Sequence, residues 1–163
     1  AERATTFGLE IHYHNRKQLH HETETRLKSK FWKNLDEMLR KIDILTIHVP
    51  HTPSTFHLIN ERRLNLLSKS AYIINTARGE ILDENALTRM LRADKLAGAG
   101  LDVYENSINI NPRLRSLNNV LLLPHMGSAT QESRLEMGEK VILNIKTFQD
   151  GHRPPDQVLP NML

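Results

Sequence analysis

The chain has 163 residues, 39% of them hydrophobic and 25% charged, with no cysteine and a formal net charge of +3. This is the length of one ordinary domain and the composition of a soluble globular protein, and the missing cysteine excludes disulfides, thiolate catalysis and cysteine-ligated zinc. No apolar run approaches bilayer length, the N-terminal stretch has no signal-peptide core, and acidic and basic residues are mixed with no basic reading face; we therefore expect a cytoplasmic protein that binds neither membrane nor nucleic acid, its small positive excess suiting an anionic small ligand.

Leu9, Ile11 and Tyr13 alternate with Glu10, His12 and His14, the period-2 pattern of a short strand. Residues 26–41 hold Leu35, Met38, Leu39 and Ile42 at helical spacing, with Asn34 as an N-cap and a charged face of Lys28, Lys30, Lys33, Arg40 and Lys41 turned to solvent. Residues 42–49 form a nearly continuous β-branched run stopped by Pro50, which predicts a strand covered on both faces within a parallel sheet. A helix over 60–67, a strand over 71–75 and a helix over 83–93 capped by Asp83 follow, and Gly98 restarts the chain. Short strands are predicted over 98–103 and 120–123, separated by a polar loop with one helical turn near Pro112. From Gln131, Leu135, Val141, Ile142, Ile145 and Phe148 predict a long helix ending near Gly151, its apolar stripe packed on a domain, before an irregular tail over 156–163.

Strands alternating with helices of about ten residues predict an α/β fold, a doubly wound, Rossmann-like parallel sheet. In such sheets the loops at the carboxyl ends of the strands line the ligand crevice. Five strand ends deliver Asn15, Arg16 and Lys17; Val49, Pro50, His51 and Thr52; Thr76, Ala77, Arg78 and Gly79; Asp102, Val103 and Tyr104; and Pro124, His125, Met126, Gly127 and Ser128. An arginine can grip a carboxylate with two hydrogen bonds, and a histidine can give or take a proton near neutral pH. A small 2-keto or 2-hydroxy acid requires both.

At these residues the chain resembles the D-isomer-specific 2-hydroxyacid dehydrogenases, in particular their glyoxylate and hydroxypyruvate reductase branch. The resemblance runs from about Thr6 to the C-terminus. It is carried by Leu35-Asp36-Glu37-Met38-Leu39 leading into Asp43-Ile44, by His48-Val49-Pro50 with Thr55, by Asn75-Thr76-Ala77-Arg78-Gly79, by Ala99-Gly100-Leu101-Asp102-Val103-Tyr104, and by Pro124-His125-Met126-Gly127-Ser128-Ala129-Thr130. It implies Arg78 as the catalytic arginine on the substrate carboxylate and His125 as the proton donor in reduction. It also implies a cofactor lining of Asn15, Arg16, Val49, Pro50, Thr55, Thr76, Ala77, Arg78, Asp102, His125, Gly127 and Ser128. Residues 1–127 then read as a partial NAD(P)-binding domain and 128–163 as a C-terminal helix and tail returning toward a substrate domain, with a homodimer as the assembly the family implies.

Two departures from the family pattern stand out. The glutamate that pairs with the histidine is replaced by Ser107, followed by Ile108 in place of proline; Glu105, two residues earlier, is the nearest carboxylate in sequence. The glycine-rich G-x-G-x-x-G turn is absent, and Ala1 to Phe7 looks like the back half of the helix that follows it, stopped by Gly8. With the central first strand missing, the Leu9 strand is expected to stand apart from the rest of the sheet. Three readings follow: a reductase of glyoxylate-like acids, a nucleotide-binding module without catalysis, and an inactive fragment. Asn15 stands where an NAD-preferring chain carries an acid, with Arg16 and Lys17 beyond it, which favours NADP(H) over NAD(H). His12, His14, His20 and His21 read as solvated surface rather than a metal cluster, and His48, His51 and His57 as polar loop residues.

Overall fold

The structure, a computed structural model, describes residues 1–159; the last part of the expected irregular tail, 160–163, lies outside them. Helix α1 (Glu2–Thr6) ends at Gly8, whose φ of +78° a side chain would resist. Strand β1 (Ile11–Tyr13) pairs in parallel with β2 (Ser29–Phe31), and α2 (His21–Leu27) connects them. These two strands form a sheet of their own, as the separated first strand implied.

The segment 26–41 is not one helix. Arg26 and Leu27 end α2, Lys28 closes it in the left-handed conformation, β2 follows, and the helix resumes only as α3 (Leu35–Leu39), started by Asn34 Oδ1 accepting from the Asp36 N–H at 2.9 Å. The apolar spacing of Leu35, Met38 and Leu39 belongs to α3 alone, and a three-residue strand is too short to show alternation. The lysines are therefore not one helix face: Lys30 lies on β2 with its ammonium 4.5 Å from the centre of the Trp32 ring.

The second sheet has four parallel strands in chain order: β3 (Ile44–Ile47), β4 (Tyr72–Asn75), β5 (Gly98–Leu101) and β6 (Val120–Leu122). Between them run α4 (Glu61–Leu64), a 3-10 turn at Gly79–Ile81, α5 (Glu84–Arg92) and α6 (Pro112–Arg115). Each helix starts on a side-chain cap: Asn60 accepts from Arg63 N–H, Asp83 from Ala86 N–H, and Asn111 from Arg113 N–H, with Pro112 in the first turn where its missing N–H costs nothing.

One face of this sheet carries Leu45, Ile47, Ile73, Ala99 and Leu101 into a core with Leu39, Leu64, Leu87, Leu91, Leu96 and Leu114. The opposite face is open. Ile44 and Tyr72, partners across β3 and β4, are 45% and 50% exposed, and Leu121 is 63% exposed. The expectation of a β3 covered on both faces is thus corrected: its residues alternate between exposed and buried, because the core helices gather on one side.

Ala1–His125 forms one compact unit, and a second begins at Met126. The second contains α7 (Gln131–Gln149), capped by Thr130 Oγ1 accepting from Ser133 N–H. The expected packed stripe is not buried: Leu135, Val141, Ile142, Ile145 and Phe148 are all more than half exposed. Among the described residues no helix is long and apolar enough to cross a membrane.

Candidate functional site

The turn after β4 is built by two residues whose roles the motif alone did not reveal. Asn75, 1% exposed, donates from Nδ2 to the Arg78 carbonyl at 2.9 Å and accepts from Ala77 N–H on Oδ1 at 3.1 Å, so its amide folds Thr76-Ala77-Arg78 into a fixed bend. Gly79 lies against the Tyr104–Glu105 peptide: a Cβ there would stand 1.9 Å from the Tyr104 carbonyl carbon. Only glycine lets the β4 and β5 loops approach this closely. Tyr104, buried, in turn donates its hydroxyl to the Leu123 carbonyl at 2.6 Å, joining the ends of β5 and β6. Burial raises the pKa of that hydroxyl above its ordinary value.

Arg78 and His125 follow two strand ends that share one rung of the sheet. Asn75, Leu101 and Leu122 occupy one rung of the ladder; Arg78 lies three residues beyond Asn75, and His125 three beyond Leu122. Strands two apart are about 10 Å from each other, within reach of an arginine side chain and a small molecule lying between. Both side chains are exposed, and the Arg78 guanidinium donates to the Ala77 carbonyl at 2.7 Å. Asp102, 6% exposed, follows β5 directly between them, its N–H donating to the Asn75 carbonyl. His125 sits at a φ of +54°, a left-handed conformation that a β-carbon makes costly and that the chain holds at this strand end.

The remaining residues named from sequence fall as follows. Val49, half-buried, and Pro50 follow β3. Thr55 shapes that loop, donating to the Pro50 carbonyl at 2.7 Å and accepting from Thr52 N–H at 2.8 Å. Thr76 is exposed and Ala77 half-buried on the bend after β4. Asn15 and Arg16 are exposed beyond β1, with the Arg16 N–H donating to Asn15 Oδ1. Gly127 and Ser128 belong to the second unit. Ser107 is exposed within a loop that Asn106 organises by accepting from the N–H groups of Ile108 and Asn109.

Glu105 does not stand in for the absent glutamate. Its Oε1 accepts from His57 Nε2 at 2.7 Å and from Glu84 N–H at 3.0 Å, and among the described residues no carboxylate pairs with His125. His57 is therefore a partner and not merely a polar loop residue. The reading of His12 and His14 as solvated surface is likewise corrected, because both are half-buried and bonded to Trp32: His12 Nδ1 accepts from the indole N–H at 2.8 Å, and His14 Nδ1 donates to the carbonyl at 2.9 Å.

The family model of the D-isomer specific 2-hydroxyacid dehydrogenase NAD binding domain matches residues 1–127. The chain belongs to this family. Among its relatives, the glyoxylate reductase of Pyrococcus horikoshii is 44% identical over 97% of this chain and 47% of the relative, and that of Aeropyrum pernix is 42% identical over 97% and 47%. Among solved structures, a glyoxylate reductase from Paecilomyes thermophila matches with a TM-score of 0.83 at 39% identity, over 90% of this chain and 44% of that one. The NADPH-dependent glyoxylate/hydroxypyruvate reductase of Sinorhizobium meliloti, solved with NADP and malonate, matches with a TM-score of 0.84 at 37% identity, over 90% and 44%. The chain spans about half the length of the curated relatives it matches. The α/β fold with parallel strands and a C-terminal helix, expected from sequence, is the fold of the family.

Proposed function

We propose that the chain provides the cofactor-binding and proton-transfer half of an NADPH-dependent reductase of small 2-keto acids of the glyoxylate or hydroxypyruvate kind. What supports this is that Arg78, Asp102 and His125 follow the ends of three neighbouring strands, β4, β5 and β6, in a chain 44% identical to a glyoxylate reductase. Arg78 grips the substrate carboxylate through paired N–H donors and draws electron density from the adjacent carbonyl. His125 gives its proton to the C2 oxygen as the alcohol forms. When bound, NADPH supplies the hydride for C2.

The donor set suits that cofactor. Arg16 and Lys17, exposed after β1 with no carboxylate at Asn15, favour a 2′-phosphate, and Asn15, Val49, Pro50, Thr55, Thr76, Ala77, Gly127 and Ser128 are the residues assigned to its lining. The test joins this chain to the N-terminal half of the Pyrococcus horikoshii enzyme and follows NADPH oxidation with glyoxylate and hydroxypyruvate. Turnover lost in both Arg78→Gln and His125→Gln supports the reading; turnover that survives both removes it. A stronger response to NADH than to NADPH removes the cofactor assignment alone. We also expect a homodimer, which light scattering of the joined chain reads directly.

One observation favours a second reading, a nucleotide-binding module with weak catalysis: Ser107 offers no charge to a protonated imidazole, and among the described residues no carboxylate forms an ion pair with His125. Cofactor binding to the joined chain with no reduction of either acid would select it.

A further inference from the structure

We propose that His57, Asp83 and Glu105 bind one first-row divalent transition-metal ion of the zinc or manganese type. The three are half-buried and come from three separate segments, the loop after β3, the cap of α5 and the loop after β5, yet one ligand atom of each lies within 4.8 Å of the others. An ion with metal–nitrogen and metal–oxygen distances of about 2.0–2.2 Å gathers such atoms by small side-chain rotations. One imidazole and two carboxylates form a mixed donor set, favouring zinc or manganese over the all-oxygen shells of calcium and magnesium.

The hydrogen bond from His57 to Glu105 accounts for two of the three residues but leaves the local charge uncompensated. Asp83 and Glu105 bring two carboxylates to a single imidazole, and among the described residues neither forms an ion pair with lysine or arginine. A dication in place of the proton between His57 and Glu105 balances that charge. The donors are also held in place. The Phe56 ring stacks on His57 with centroids 4.1 Å apart and planes 14° from parallel, and the His57 N–H donates to the Glu80 carbonyl. The backbone N–H of Glu105 donates to the buried Glu84 carboxylate at 3.2 Å, and Asp83 Oδ1 is anchored by Ala86 N–H while its second oxygen stays available. Such outer contacts are what orient metal ligands.

Bound there, the ion would join the segment two residues past Thr55, the start of α5 and the loop leading to Ser107, tying together three of the loops around the candidate site. It takes no part in the proposed reduction, so its test is independent of activity. Zn2+ titrated into the 163-residue chain by calorimetry should saturate at one equivalent with a dissociation constant on the order of micromolar and raise the melting temperature, with Mg2+ failing to compete. His57→Gln and Glu105→Gln should each weaken binding by about tenfold or more, while His20→Gln with His21→Gln leaves it unchanged. Co2+ in the unaltered chain gives a reading that needs no variant, since it should broaden the amide resonances of His57, Glu84 and Glu105 first. Failure to saturate at one equivalent, binding that survives His57→Gln, or broadening centred on residues 12–21 overturns the proposal.

Discussion

Gly79 is the residue where local chemistry constrains the candidate site most tightly. In Gly79→Ala the added carbon would meet backbone atoms on Tyr104 and Glu105, which cannot rotate away, so one loop must shift. We expect a loss of about 3 kcal/mol in urea unfolding, with arginine and aspartate loops separated in the variant. Asn75→Ala should cost about 1–3 kcal/mol by the same measurement, because the Ala77 N–H and Arg78 carbonyl lose their partner inside the protein. At Ser107 the expectation concerns rate rather than stability. Ser107→Glu in the chain joined to a relative's N-terminal half should raise turnover at neutral pH, and an unchanged rate would show that His125 needs no charged neighbour. The motif around Arg78 was legible in sequence as a strand end carrying an arginine. Asn75 and Gly79 were legible only as parts of that motif: the work of Asn75 depends on the bend its amide closes, and that of Gly79 on Tyr104 and Glu105, which sequence places on another strand end without saying how near.

Between α3 and α4 two ion pairs on one carboxylate add to the apolar core that Leu39 and Leu64 share. Asp36 accepts from Arg62 at 2.5 Å and Arg63 at 2.9 Å, and these hydrogen bonds hold its carboxyl down to about 2 from an ordinary value of 3.8. A carboxylate with its pKa lowered by folding stabilises the fold above its unfolded pKa and loses that contribution as pH falls toward the folded one. Asp36→Asn should therefore destabilise the chain at pH 7 by about 1 kcal/mol, after allowing for solvent screening. The difference should fade between about pH 4 and pH 2 in pH-dependent thermal melts. Elements with a full apolar period or a capping residue could be read from sequence: β3, β4, α5, α6 and the caps at Asn34 and Asp83 lie within or near their expected ranges. Strand β2 could not, because three residues carry no periodicity and a left-handed Lys28, not a glycine, precedes it. Nor could the exposure of the α7 stripe, since an apolar stripe shows what a helix can bury and not whether it is buried.

At the scale of the whole molecule, the four-stranded sheet behaves as an amphiphile with one filled and one bare side. On the bare side Ile44 faces Tyr72, and Leu121 shares its rung with Gly100, Ile74 and Thr46. Exposed apolar area of this kind favours association. Sedimentation velocity should show concentration-dependent oligomers of the 163-residue chain, reduced in Ile44→Thr with Leu121→Thr and strengthened by sulfate; a monomer at all concentrations would show that the face is tolerated in water. The family was legible in sequence because its marks sit at strand ends, where ligands are met. The bare face was not, because a strand read alone reports its own alternation and not which neighbours cover it.

The order of the strands also has a consequence for the chain as it is made. Each strand of the second sheet pairs with the one before it, so no strand has to be threaded between two already in place. The sheet can grow in the direction of synthesis, each new strand closing a loop only onto its immediate predecessor. On that schedule the Arg78 bend is laid down early and clamped when Tyr104 emerges, while His125, just past β6, follows only after all four strands of this sheet have left the ribosome.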